Sequence, residues 1–320
     1  MAATHQLTNS VTILYFVFGT ATHNHLQANF AILSWLAQEG TAFDRIVVLT
    51  DAPEFYRFVD DERVVIKTTD RAQLDEWEGP HQFFWRVKIK AIEAVAAEYP
   101  GSHVFYQDAD TFCFNDPGRL RKQLDAGRCL MHAREGRLSE LPTRTEKKMW
   151  KQCRGQTFGG ITITAEHNMW NAGVVAIPAD KVAAVVPAAL AICDAMCAAG
   201  VTRRLVEQFA LSVACGLKEP VLPANGTIGH YWGNKEGWNP LINGFFLRHH
   251  LHGGSYAEQV AELRNFDFYQ IPIYTKSSGT QRKLTGVVDK LFAKNVVAYA
   301  ARSVDGSDRS ERVLAEKGDS

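Results

Sequence analysis

The chain has no Gly-x-Gly-x-x-Gly fingerprint and no Walker loop, so neither an ordinary dinucleotide site nor a P-loop is encoded. It has no excess of charge: 35 Lys and Arg stand against 35 Asp and Glu. No global field draws it to nucleic acid or to an acidic surface, and any anion site must be local. Its six cysteines, Cys113, Cys129, Cys153, Cys193, Cys197 and Cys215, form no Cys-x-x-Cys pair and no dense disulfide framework, which points to a reducing compartment. Long hydrophobic runs are missing too. The longest, Val182 to Val201, is built mainly of Ala and broken by Pro187 and Asp194, so it reads as a packed helix and not as a membrane span. Met1 to Ser10 has neither a basic start nor a small-residue cleavage site, and reads as a polar lead-in to a first strand. These absences leave a cytoplasmic or cytoplasm-facing protein with no transmembrane segment and no nucleic-acid partner, peripheral association with a membrane being left open.

What is present fits an α/β protein of ordinary globular composition, 46% hydrophobic and 22% charged over 320 residues. The organising stretch is His103 to Asp116, where apolar residues run straight into Asp108-Ala109-Asp110. A buried strand ending in two acids places them at a sheet edge, where ligands of open α/β sheets lie. Carboxylate oxygens there suit Mg²⁺ or Mn²⁺, ions that complete their shell with water and substrate phosphates. The plain alternative is that the acids make a turn.

Before this stretch, Val11 to Phe18, Arg45 to Thr50 and Val64 to Lys67 read as strands, with helices from about His25 to Gln38 and from 81 to 99. Strands recurring with helices between them predict a mostly parallel, Rossmann-like sheet flanked by helices. The second helix is expected to carry Phe84, Val87, Ile92 and Val95 inward. Its first turns present Trp85, Arg86, Lys88 and Lys90, so Arg86 or Lys88 is a candidate for a phosphate or sugar hydroxyl beside Asp108, against a merely solvated basic face. After the stretch, Arg134 to Arg154 holds seven basic residues against three glutamates and reads as a long functional loop or lid, with a short helix near Glu146 to Gln152. Asn171-Ala172-Gly173 opens a short strand and suggests close backbone approach at a pocket wall. A helix over about Ala179 to Ala199 follows, with Cys193 and Cys197 packed inside it; another, Arg203 to Cys215, carries Glu207 and Gln208. Ile228 to Trp238 reads as a tight glycine loop in which His230 can ligate a metal and Lys235 can meet a phosphate. The rival cluster His249, His250, His252 lacks an i, i+4 pair and is read as structural or surface. Two helices are expected after Tyr256, and a disordered tail over 303–320.

In this order the pieces resemble nucleotide-sugar-dependent glycosyltransferases of the A-type (GT-A) fold, most closely the glycogenin and galactosyltransferase-like retaining group. The matching pieces are the opening strand with Thr20 and Ala21, the Arg86 helix, Asp108-Ala109-Asp110, Asn171-Ala172-Gly173, Glu207-Gln208 and His230-x-x-Gly233-x-Lys235. They cover about residues 11 to 240. The resemblance implies one domain over 1–302, with a nucleotide-binding half at about 11–116 and a donor-sugar and acceptor half at about 117–302. It implies Mn²⁺ or Mg²⁺ on Asp108, Asp110 and His230, bridging the diphosphate of a UDP-sugar, and Lys235 as a diphosphate contact. Phe18, Gly19 and Thr20 would line the nucleotide, Arg86 and Lys88 would support it, and Asn171 would touch the donor sugar. Glu207 or Gln208 would face the reacting carbon, as nucleophile or as electrostatic stabiliser, and the acceptor would be a glycan or other hydroxyl. Two features depart from the family's pattern: the family's lysine sits one residue further from the glycine and is followed by Pro-Trp, whereas Lys235 is followed by Glu236-Gly237-Trp238, and the interval from Asp110 to Asn171 is long, with the basic segment inserted.

Two other functions fit some of these residues. Asp108-Ala109-Asp110-Thr111 after a strand also suits a haloacid-dehalogenase-type phosphatase, with Asp108 phosphorylated and Asp110 as acid/base, although that motif normally opens its fold. A transferase fold that binds sugar nucleotides or glycans without turnover is the second.

Overall fold

The computed structural model describes residues 9–275, apart from 39 and 41. Seven strands form the central sheet: β1 Val11–Val17, β2 Arg45–Thr50, β3 Val64–Thr68, β4 His103–Gln107, β6 Leu130–Met131, β11 Val174–Ile177 and β12 Leu222–Pro223, in the order β12-β6-β11-β4-β1-β2-β3. The β1–β2, β1–β4, β2–β3 and β6–β12 pairs are parallel, and only β11 is reversed against its neighbours β4 and β6. The fold is α/β and Rossmann-like, with a mostly parallel sheet flanked by helices.

Alternation along the strands builds two cores, one on each face. Leu14 and Phe16 of β1, Val104 and Tyr106 of β4, and Val175 and Ile177 of β11 point to one side, where helices α3 (Arg86–Glu98), α6 (Val182–Ala198) and α7 (Val206–Cys215) cover them. Ile13, Tyr15, Phe105 and Val174 point to the other, under α1 (Thr22–Leu36) and α4 (Gly118–Asp125). A third cluster joins α1 to α8 (Lys235–His252) and α9 (Tyr256–Arg264) around Phe112. All six cysteines are buried and none is in a disulfide, which agrees with the packing role expected for Cys193 and Cys197. No helix among the described residues is long and apolar enough to cross a membrane.

Three stretches differ from expectation. The helix expected over 81–99 begins only at Arg86 (α3); residues 79–85 form a turn, and a separate helix that the sequence reading does not name, α2 (Arg71–Glu78), precedes it. Asp70 caps α2 by accepting from the Gln73 amide, while Gly79 and Gln82 both take positive φ, so the chain cannot run on helically until Arg86. Phe84, expected inward, is therefore exposed in that turn. The segment 134–154 is not one long loop. It contains β7 (Arg134–Arg137), paired antiparallel with β10 (Asn168–Trp170), and α5 (Arg144–Cys153), which a Thr143–Glu146 capping box starts. The glycine-rich stretch 228–238 is a loop only at 231–234: β13 (Ile228–His230) precedes it, and α8 begins at Lys235. A second helix after Tyr256, the domain end at 302 and the tail over 303–320 lie outside the described residues.

Candidate metal and donor site

In this sheet the chain steps from β1 to β2 and β3 on one side, then crosses to β4 on the other. The carboxyl ends of β1 and β4 are thus the topological switch point, where open α/β sheets bind ligands. Phe18 and Gly19 leave β1 there, and Asp108 follows β4 directly. Gly19 takes φ +80, its amide donates to Asp51 and its carbonyl faces the His25 ring at 2.7 Å. Thr20 is exposed beside it.

His230, far away in sequence, reaches Asp110 because β13 pairs antiparallel with the short strand β5 (Thr111–Cys113), setting His230 opposite Thr111. The Tyr231 amide then donates to the Asp110 carbonyl at 3.1 Å. Asp108, Asp110 and His230 each offer a ligand atom, and the three atoms lie within 4.8 Å of one another. The imidazole is fixed from behind. Asn171 Oδ1 accepts from the Gly173 amide and lies 3.0 Å from His230 Nδ1. An amide oxygen only accepts, so Nδ1 carries the hydrogen and Nε2 turns its other side to Asp110 Oδ1, 3.3 Å away. Two lone pairs meeting at that distance require a proton or a cation between them. Two carboxylates and an imidazole are a fitting donor set for Mn²⁺ or Mg²⁺.

Two lysines flank the acids. Lys88 is 6% exposed; its ammonium lies 3.2 Å from Asp108 and 3.1 Å from Glu207, and donates to the Ala172 carbonyl. Burial works against its charge, but the two carboxylates more than offset this and raise its pKa. Glu207, in the first turn of α7, is pushed up by burial and only partly drawn back by Lys88. Tyr106 donates to Asp108 at 2.7 Å. Lys235, in the first turn of α8, lies 2.8 Å from Asp110 Oδ2 with its side chain 45% exposed. Burial alone would raise the Asp110 carboxyl, yet His230 and Lys235 hold it well below the usual carboxylate range. With the His230 imidazole neutral, as a metal ligand must be, three carboxylates and two ammoniums leave the cluster one negative charge in excess. A divalent cation would turn that into the net positive charge that a diphosphate needs.

Gln208 accepts from the Ala172 amide and donates to Glu135, which also accepts from Asn171. Glu135 was missed in the sequence because β7 shows no alternation; its place is set by pairing with β10. His132 was missed as well. Its ring stands edge-on to His230 at 5.1 Å, and burial together with His230 lowers its pKa to about 3. Arg86 has other partners than those expected: its guanidinium grips Asp194 through two hydrogen bonds of 2.7 and 3.0 Å and donates to the Trp77 carbonyl. Arg86 and Lys88 are two residues apart on α3, so one faces α6 when the other faces the sheet edge. His249 of the rival cluster is engaged by Glu262.

No protein-family model matches the chain, and no curated protein sequence matches it. Among solved structures, the apo crystal structure of mouse xyloside xylosyltransferase 1 is similar with a TM-score of 0.44 at 12% identity, covering 67% of this chain and 84% of that one.

Proposed function

We propose that the chain is a metal-dependent glycosyltransferase that moves a hexose from a UDP-sugar to a glycan or other hydroxyl acceptor, with retention at the anomeric carbon. The observation that carries this reading is the convergence of Asp108, Asp110 and His230 at the switch point of the sheet, between Lys88 and Lys235. A divalent ion on those three residues supplies charge neutralisation at a departing diphosphate. The chain's own residues do the rest. Lys235 is anchored in a helix's first turn, where anions are favoured, and its exposed ammonium can leave Asp110 for a phosphate. Asn171 orients His230 and stands beside the sugar position. Gln208, half-buried at the rim, faces the reacting carbon, while Glu207 is held behind Lys88 and acts electrostatically. Both stabilise positive charge growing on the sugar. Phe18, Gly19 and Thr20 line the nucleotide side. Retention and the UDP-sugar rest on the sequence resemblance.

The test is release of free nucleoside diphosphate from a panel of nucleotide sugars, with Mn²⁺ or with chelator, for the native chain and Asp110→Ala. Mn²⁺-dependent hydrolysis of one donor, abolished in the variant, is the expected result. Phosphomonoester hydrolysis without donor turnover would favour the phosphatase reading. Donor binding without turnover on any acceptor tried would favour a binding protein.

A further inference from the structure

Half of the charged side chains of the 134–154 segment have partners within the fold. Arg134 donates to Asn168, Arg137 pairs with Glu140 and Glu166, and Glu146 is tied to the Thr143 backbone as the N-terminal cap of α5. What remains is a stripe. Arg144, Lys147, Lys148 and Lys151 follow the i, i+3, i+4, i+7 spacing of one helix face. All four are exposed, as is Arg154 at the end of the helix, and none forms an ion pair with a described acid. The opposite face buries Met149 and Cys153, so the helix is anchored in the fold and its basic face is held outward.

A second segment extends this surface. Gln152 of α5 accepts from both the Thr202 amide and its hydroxyl, and donates to the Gly200 carbonyl. This fastens the helix to the turn that carries Arg203 and Arg204, both exposed. Arg203 in turn donates to the Gln82 carbonyl, and two and three residues beyond Gln82 stand Phe84 and Trp85, 38% and 49% exposed. Seven cations and two solvent-facing aromatic rings therefore follow one another along the surface of a chain whose formal charge is zero. The basic face is the outer side of a helix, not the wall of a groove, which suits a flat partner better than a threaded chain. Exposed indole and phenyl rings beside basic side chains are the composition that settles at a lipid headgroup boundary.

We propose that the basic face of α5, together with the Arg203-Arg204 turn and the Phe84-Trp85 rim, docks this protein on an anionic membrane surface. Lysines and arginines bind such a surface through the negative potential of its lipids, each changing partitioning roughly fivefold. The inference does not depend on the reaction catalysed. It is tested by co-sedimenting the full chain with vesicles of phosphatidylcholine alone and of phosphatidylcholine mixed with phosphatidylglycerol. Binding is expected only to the mixed vesicles, and is lost near 1 M salt, where the screening length falls to about 3 Å. The K147A/K148A/K151A variant should partition on the order of 100-fold more weakly with an unchanged melting curve, since all three side chains are exposed. Trp85→Ala should weaken binding independently of salt. Absence of binding to the mixed vesicles, or native partitioning by the triple variant, would overturn the proposal. So would capture by soluble heparin through the same lysines with no vesicle binding, which would assign the surface to a dissolved polyanion.

Discussion

Replacing Gly173 by Ala sets a methyl group where the His230 imidazole already stands. A Cβ at this position would lie 2.1 Å from Cε1, 2.3 Å from Nδ1 and 2.8 Å from Nε2 of that ring, well inside any tolerated contact. The backbone cannot retreat. The Gly173 carbonyl accepts from the Asp108 amide at 2.9 Å, and its amide donates to Asn171 at 3.0 Å. The ring has little room either, being 5% exposed with His132 edge-on behind it. The substitution should thus turn Nε2 away from Asp110 and break the Asn171–His230 contact. Overpacking of this kind costs about 1–3 kcal/mol of stability, and misorienting a ligand imidazole costs about 10–100-fold in metal affinity. Calorimetric titration of the full chain with Mn²⁺, alongside a thermal melt, reads both. A folded Gly173→Ala protein that binds Mn²⁺ as tightly as the native chain would refute the assignment of His230 to the metal set.

Other outcomes follow from the same geometry. Lys88→Met leaves Asp108 and Glu207 facing each other without their shared cation, a loss of about 3–5 kcal/mol. Chemical denaturation should show this, with partial recovery in K88M/E207Q; equal stability of K88M and the native chain would contradict the pairing. Arg86→Ala should cost on the order of 1–3 kcal/mol through its bonds to Asp194 and Trp77 while leaving Mn²⁺ affinity unchanged. Weakened metal binding in a stably folded Arg86→Ala protein would return Arg86 to the site. His132 is held neutral by burial and His230, so its folded pKa, about 3, lies below the unfolded value of about 6.5. The unfolded chain then binds more protons between those values, and stability falls as pH drops through that window. Melting curves in chelator from neutral pH downward should show a shallower acid limb for His132→Gln; identical limbs would discount the His132 contribution.

The sequence disclosed the parts of the site that local pattern controls. Asp108 and Asp110 were legible because a hydrophobic run ends in them. Gly173 was legible as a close approach, which the imbedded His230 ring explains. His230 could be named, but the ladder that brings it to Asp110 is a three-residue pairing with no sequence signature of its own. Glu135 was hidden inside a charged stretch because β7 is only four residues long and its register depends on β10. Helix phase separates the two candidates Arg86 and Lys88: a residue two positions from Lys88 points nearly opposite to it, and the Arg86 guanidinium meets Asp194 and the Trp77 carbonyl, a constraint already present in the spacing. The missed helix α2 had a visible start in Asp70-x-x-Gln73, the cap that the structure uses.

The central claim is tested most directly by diffraction from crystals of the full chain soaked with Mn²⁺ and UDP, with data collected at a wavelength that reveals manganese by its anomalous signal. The account predicts one anomalous peak among Asp108, Asp110 and His230, with the diphosphate beside it and within reach of Lys235. A peak elsewhere, for instance at His249, His250 and His252, or UDP bound away from the carboxyl ends of β1 and β4, would contradict it.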